Sequence, residues 1–526
     1  MKMSLPIMAA VLLIGGGAGI GGLYYLQSQQ NLATAEITSD SRLIDATITI
    51  GDDPWIGYAP LASNAMQSAA RADGIVVEYV SDGGDYATRM QQIRDGDLDM
   101  AVVTIDANLL NTPDLNRGGV IVSVIDQSNG GDALVCDYSQ ISGIDDLSTT
   151  TGWNIAFTPN SPSHQLLRGI GNDFGADVLL QETSWRVETN GSGEALEQLQ
   201  AGNVTCAVLW QPDVARALQG SNALGVVFSS ADADGLIVDV LMVHRRHLLP
   251  SSPMRAHIQT VLHNYFEVLK EFSENEEFRL EQVKAYLREF DGARFSDDEI
   301  IAMLDGVDWV NLTENAESWF GVGGDSPYFK LEEAHDFARA IIRAEQGQDF
   351  LRFFRAVSVI DGQFIRTLYD QQTIVEHNAT ITNPLELRFQ PLSELMWNTL
   401  DTQGTLRSRR IVFQPGSLVL QDAARAALGE AMQDFRRYPR SRLEIQVGYS
   451  PNGGAEAQAD AQARADATRR YLLETHGLDE NRVRVFVPEP QLVSVMIPQR
   501  EGENGRAYGS RLREVQLVLR RPTSDS

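Results

Sequence analysis

Strand-like and helix-like segments alternate from Ile44 onward, and this rhythm restricts the fold more tightly than composition does. Ala46–Ile50 is a β-branched run, Leu61–Ala72 has helical character, and Ile75–Tyr79 returns to a strand pattern. Tyr86–Asp95 then reads as a helix and Met100–Thr104 as a strand. Strands separated by helices of this length are joined by crossovers and pair in parallel, which predicts an α/β fold. The pattern resumes with a strand at Asn154–Phe157 and helices at His164–Phe174 and Glu194–Gln200. A strand at Val204–Leu209 and a short helix at Asp213–Leu218 complete it. Two lobes are therefore expected, with the chain passing between them near Asp132–Asp145. Met254–Leu368 reads as mostly helical, with Ser296 and Glu299 spaced as a capping box.

Ahead of this lies an apolar and glycine-rich run, Leu5–Leu26, with Lys2 as the only charge before it. At about 1.5 Å per residue, a helix of that length crosses a hydrocarbon core of roughly 30 Å. Ala33-Thr34-Ala35 fits a signal-cleavage pattern, but it lies well beyond the run, whose length favours a retained anchor. Residues 1–30 are thus expected to form a single transmembrane helix in the inner membrane and 31–43 a tether. The bulk of the chain is expected in the periplasm.

The formal net charge is −28, unevenly spread. From Thr405 to the end there are 19 arginines against 15 acids, so an acidic body is joined to a mildly basic tail. No basic stripe is interleaved with aromatics, which argues against nucleic acid as a partner. Cys136 and Cys206, the only cysteines, can pair in an exported protein or stay as two buried thiols. They cannot build a clustered-thiolate metal site. The eight histidines form no metal-ligand pattern, and neither a Gly-x-Ser-x-Gly elbow nor a phosphate loop ending in Lys-Ser/Thr is present. Hence no enzyme activity, metal or cofactor is expected.

The segment Ile48–Leu61 (ITIGDDPWIGYAPL) resembles the first strand and loop of periplasmic substrate-binding proteins of the nitrate/sulfonate/taurine group. Arg94–Asp99, Asn160–His164 and Ala201–Pro212 agree with that family in order and spacing. The resemblance implies a type II periplasmic-binding-protein fold over residues 44–377, a small-molecule solute, and an ABC transporter permease as partner. A linker rich in Thr, Asn and Pro occupies residues 378–410. Beyond it, Ile411–Leu420, Ala423–Arg437, Leu443–Gly448 and Arg511–Leu519 resemble the strands and first helix of an OmpA-like domain at 411–521. That implies a β-α-β-α-β-β fold and association with peptidoglycan. Arg464 matches the family arginine that holds a peptide-stem carboxylate. The position of the family's ligand-binding aspartate is taken by Pro451, and that of its usual asparagine by Ala457.

Binding proteins hold solutes with loops at strand ends and with helix N-termini, whose unpaired N–H groups favour anions. Three loops have this form: Gly83-Gly84-Asp85, Ser161 to His164 with Ser163 between, and Asn190 to Ser192. Trp55, Tyr58 and Trp210 are candidate apolar walls, and Thr104 and Asp106 sit at a strand end facing the cleft. Each has a structural alternative: Ser161 or Ser163 as a cap, Trp210 as core, Gly83-Gly84 as a turn, His164 as a first-turn helix residue. Asp53, Asp85, Asp106 and Asp213 would repel a plain anion, so the expected solute is a small polar anion or a zwitterion. The rival expectation is a non-transport envelope scaffold or sensor, with a vestigial lobe and a degenerate wall-binding domain.

Overall fold

The computed structural model describes residues 44–522 apart from 113–117, 222, 292–294, 323–329, 353, 373, 375–388, 409, 415–416, 498 and 500–502. The anchor expected within residues 1–30 and the tether 31–43 lie outside the described residues. Among the described residues no helix is long and apolar enough to cross a membrane.

The first lobe is built on β1 (Ala46–Asp52), β2 (Ile75–Ser81), β3 (Met100–Thr104), β4 (Gly119–Ser128), β10 (Val238–His244) and β11 (Val307–Trp309). Their order is β11-β4-β10-β3-β1-β2. The helices α1 (Tyr86–Asp95) and α2 (Ile105–Asn111) lead into and out of β3. The second lobe carries β5 (Asp132–Asp137), β6 (Ile155–Phe157), β7 (Arg186–Glu188), β8 (Cys206–Trp210) and β9 (Leu224–Ser229) in the order β7-β6-β8-β5-β9. Its helices include α3 (Pro162–Phe174) and α4 (Ser192–Gln200). The two-lobed α/β expectation is met. The crossing lies slightly earlier than expected, because Asp132–Asp137 is already a strand of the second lobe.

Two crossovers join the lobes, residues 129–131 outward and 230–237 on return. They are tied together: the Ser128 and Ser230 hydroxyls are 2.7 Å apart, and the Gly130 amide donates to Ser230 Oγ at 2.8 Å. Cys136 and Cys206 form a disulfide between the paired strands β5 and β8. The long helix α5 (Met254–Glu274) covers the first lobe, and the helix α6 (Lys330–Gln346) packs against α2 of the first lobe and α3 of the second. The capping box of Ser296 and Glu299 is present as expected.

The C-terminal domain holds β12 (Asp401–Thr405), α7 (Asp422–Phe435), β13 (Arg442–Val447), α8 (Gly454–His476), β14 (Val483–Phe486) and β15 (Val515–Arg521), with strand order β12-β15-β13-β14. Among the described residues of the segment Ile411–Leu420 the expected entry strand is not formed, and Val412 makes an isolated bridge to Glu514; the sequence there carries a proline followed by a glycine, which strand interiors disfavour. The edge position is taken by β12, from the segment read as linker.

Candidate functional site

The loop after β1 turns Trp55 and Tyr58 inward towards the crossovers. Trp55 Nε1 donates to both oxygens of Asp126 at 3.3 Å, and the Tyr58 hydroxyl donates to Asp239 Oδ1 at 2.5 Å. The Trp55 ring lies so close to Gly131 that a Cβ there would stand 2.2 Å from it, which explains a glycine in the crossover. Two of the three predicted aromatic walls are thus engaged within the protein.

Asp126 ends β4, Asp132 begins β5 and Asp239 lies in β10, so three acids meet where the lobes join. All are buried. Burial raises the Asp126 and Asp239 pKa values; the charge of Asp132 adds to the rise at Asp126, and that of Asp126 adds to the rise at Asp239. Asp132 is pushed up to about 7, chiefly by burial and then by the charges of Asp106 and Asp53. The Arg89 cation close by is already paired, with Asp53 at 2.9 Å and with Asp82 at 2.5 Å. Its Nη1 donates to the Val102 carbonyl at 2.8 Å. It has little left to offer a ligand anion.

Across the junction the two lobes touch. Gly83 and Gly84, both at positive φ, meet Gly191 and Trp210, and a Cβ on Gly191 would stand 2.7 Å from the Gly83 carbonyl oxygen. Trp210 leaves β8 and is buried in the apolar cluster of the first lobe. The amide of Asn111, at the end of α2, donates to the Asn160 carbonyl at 2.9 Å. The lobes are closed.

Asp85 caps α1 through Thr88, and Thr104 caps α2 through the Ala107 amide. Ser161 caps α3 and donates to the Thr158 carbonyl at 2.7 Å. Asn190 is exposed, and Ser192 accepts from the Trp210 amide at 3.1 Å. The cap formed by Ser161 is the structural alternative weighed above.

Asp106, Ser163 and His164 come to the lobe junction with a partner that sequence reasoning missed, Arg168. Arg168 Nε donates to Glu345 Oε2 of α6 at 2.6 Å, and its Nη2 lies 2.8 Å from His164 Nδ1. Arg186 holds the other Glu345 oxygen at 2.6 Å. Burial lowers the His164 pKa to about 4, so the ring is neutral and accepts from Arg168. Burial opposes ionisation of Glu345, but His164 and Arg168 outweigh it and hold its carboxyl below the usual range.

This leaves Arg168 Nη1 buried with no hydrogen-bond partner among the described residues. Asp106 Oδ2 and Ser163 Oγ are in the same condition. Asp106 is pushed up to about 6 by burial, opposed by Thr104 and by the positive charge of Arg168 across the junction. Unpaired buried polar atoms are costly, about 1–3 kcal/mol each, and they gather here from both lobes. The spacing of His164 and Arg168, four residues apart on one helix face, is the signal that could have found the arginine.

In the C-terminal domain, Arg464 is buried on α8, and its Nη2 donates to Asp460 at 3.4 Å. Pro451 opens a short 3-10 turn, Pro451–Gly453, before that helix.

The fold and this junction define a closed two-lobed α/β protein with a polar site between its lobes. No protein-family model matches the sequence, and no curated protein does. Among solved structures, the chain is similar to the alkanesulfonate-binding protein from Xanthomonas axonopodis pv. citri bound to MOPS, at 12% identity and a TM-score of 0.46. That likeness covers 61% of this chain and 100% of the other. It is also similar to the periplasmic nitrate-binding protein from Synechocystis PCC 6803, at 11% identity and a TM-score of 0.44, over 63% and 90% of the two chains. The periplasmic aliphatic sulphonate-binding protein from Escherichia coli gives 17%, 0.42, and 60% and 98%. What the site can bind follows from its own geometry.

Proposed function

We propose that this chain is a membrane-anchored, extracytoplasmic solute receptor whose two lobes close on a small zwitterion. The observation that supports it is the pair Asp106 and Arg168, buried on opposite lobes, each with one polar atom lacking a partner. A solute with an ammonium and an acid group would satisfy both, the ammonium on Asp106 and the acid on Arg168 with Ser163. A simple anion is the poorer fit of the two expected classes, because Asp106, Asp126, Asp132 and Asp239 surround the junction and Arg89 is already paired.

Native mass spectrometry of the full chain in detergent tests this, with amino acids, aminosulfonates, diamines and inorganic anions as probes. A saturable mass shift with a zwitterion, lost in both Asp106→Asn and Arg168→Gln, is the expected result. Binding of nitrate or sulfate alone would replace the solute class, and no shift with any probe would remove the receptor reading.

The second reading is a scaffold whose lobes stay shut without solute. Its support is that Trp55, Tyr58, Ser161 and Ser192 are all engaged internally. For the C-terminal domain we propose an OmpA-like fold that docks in the cell envelope, with Arg464 as the remaining carboxylate-binding group. Loss of the aspartate at Pro451 weakens the peptidoglycan version of that role. A sacculus pull-down in which the full chain stays soluble would end it. Delivery to an ABC permease is the transport form of the receptor reading.

A further inference from the structure

The C-terminal domain does not hang from the binding lobes. One apolar cluster runs without a break from Phe174 and Phe228 of the second lobe and Leu236 of the return crossover into Leu406, Tyr438 and Leu519 of the tail. Buried polar contacts reinforce it. Asp173 accepts from Arg437 at 2.5 Å and from the Tyr438 hydroxyl at 2.6 Å, and Arg521 pairs with Asp232 at 2.5 Å. The backbone takes part as well, with the Asp234 amide donating to the Arg437 carbonyl at 2.7 Å.

The helix α6 lies between this body and the first lobe. Its Leu331, Ala334, Ala338 and Ile342 lie in the cluster of the first lobe, and its Ile341 lies in the cluster shared by the second lobe and the tail. From there it grips the second lobe through Glu345 and the tail through Phe337, whose ring lies 4.5 Å beneath the Arg437 guanidinium. Arg440 of the tail also reaches Asn129 of the first crossover at 3.1 Å, and Asn129 donates to Asp308 of β11 at 2.8 Å.

We infer that the second lobe and the tail move as one rigid body, latched to the first lobe by α6, so the tail is an allosteric handle on the interlobe site. This rests on the receptor reading. Opening the lobes must break the Glu345 cluster and slide Arg437 off Phe337, and a partner holding the tail biases both. By linkage, whatever the tail binds changes solute affinity, and solute changes tail binding by the same factor.

The test needs no solute. Spin labels at Ser68→Cys, Gln200→Cys and Arg470→Cys mark the first lobe, second lobe and tail, all at exposed positions, with the native cysteines paired in the disulfide. Pairwise distances in the full chain are compared with those in Glu345→Gln and in Phe337→Ala. The expected result is that the 68–200 and 68–470 distances lengthen together while the 200–470 distance keeps its wild-type value. That constant distance also reports that the variants fold. A changed 200–470 distance, or a 68–470 distance that stays put while 68–200 lengthens, overturns the single-body assignment. No movement in either variant overturns the latch. None of these outcomes bears on solute binding, which the mass-spectrometric experiment reads separately.

Discussion

The Tyr438 hydroxyl donates to Asp173 Oδ2 at 2.6 Å, with both side chains buried, and so joins the C-terminal domain to a helix of the second lobe 265 positions earlier. Asp173 also holds Arg437, whose pKa burial would lower and the Asp173 charge instead raises.

Removing either side of this joint should loosen the whole molecule. Tyr438→Phe is expected to cost about 1.5–3 kcal/mol, the loss of a hydrogen bond to a charged group. Asp173→Ala leaves Tyr438 without its acceptor, while Arg437 keeps its pair with Asp434 at 2.8 Å, so the cost should be about 3 kcal/mol, the low end for a broken buried pair. Urea unfolding monitored separately in the second lobe and the tail should show both transitions shifting together.

Gly191 should tolerate no side chain while the lobes are shut. Its φ of +91° disfavours L-residues, and a Cβ would press on the Gly83 carbonyl. Gly191→Val is expected to hold the lobes apart, seen as a larger radius of gyration in small-angle scattering. An unchanged radius would mean that the glycine contact does not govern closure.

The acid cluster gives stability a definite pH dependence. In the fold Asp106 titrates near 6 and Asp132 near 7, both raised mainly by burial, against about 3.9 in an unfolded chain. The native state keeps protons that the unfolded state has released, so this contribution is complete below about pH 4 and is lost as pH rises through 6 to 7. Glu345 has the opposite sign, stabilising above about pH 4.5 and losing that effect on acidification. Calorimetry should therefore show Tm falling from pH 5 to pH 8, with a shallower fall in Asp132→Asn. A solute ammonium would draw these protons off, so binding should release protons, read as a buffer-dependent enthalpy.

The disulfide should matter to the second lobe in particular. Cys136 and Cys206 close a long loop between neighbouring strands, which constrains the unfolded chain by about 4 kcal/mol in the entropic account. The double variant Cys136→Ala, Cys206→Ala is expected to lose about 2–4 kcal/mol. The loss should equal that of wild type under reducing conditions.

Local pattern carried most of the elements. Tyr86–Asp95 and Met100–Thr104 match the expected bounds because their periodicity is unbroken and Gly96 stops the helix. The expected entry strand Ile411–Leu420 has the apolar content of a strand but also a proline followed by a glycine, which strand interiors disfavour. Meanwhile β12, Asp-Thr-Gln-Gly-Thr, has no strand signature and owes its conformation to pairing with β15. The site was legible only in part. Of the residues proposed for the site, Asp106, Ser163 and His164 were expected from strand-end and helix-start positions, whereas Arg168 needed Glu345, 177 residues away, to aim it. The three acids Asp126, Asp132 and Asp239 meet only because two crossovers are laced side by side, which no local window reveals.

The apolar cluster shared by the second lobe and the tail also has a consequence in time. A ribosome makes the second lobe long before residues 401–521 exist, and until those residues arrive Phe174, Phe228 and Leu236 have no covering layer. The last stretch of the chain therefore completes the cover of a segment made much earlier. A premature stop near residue 400 would deliver both lobes with an open, sticky flank, material for proteases rather than a smaller stable protein.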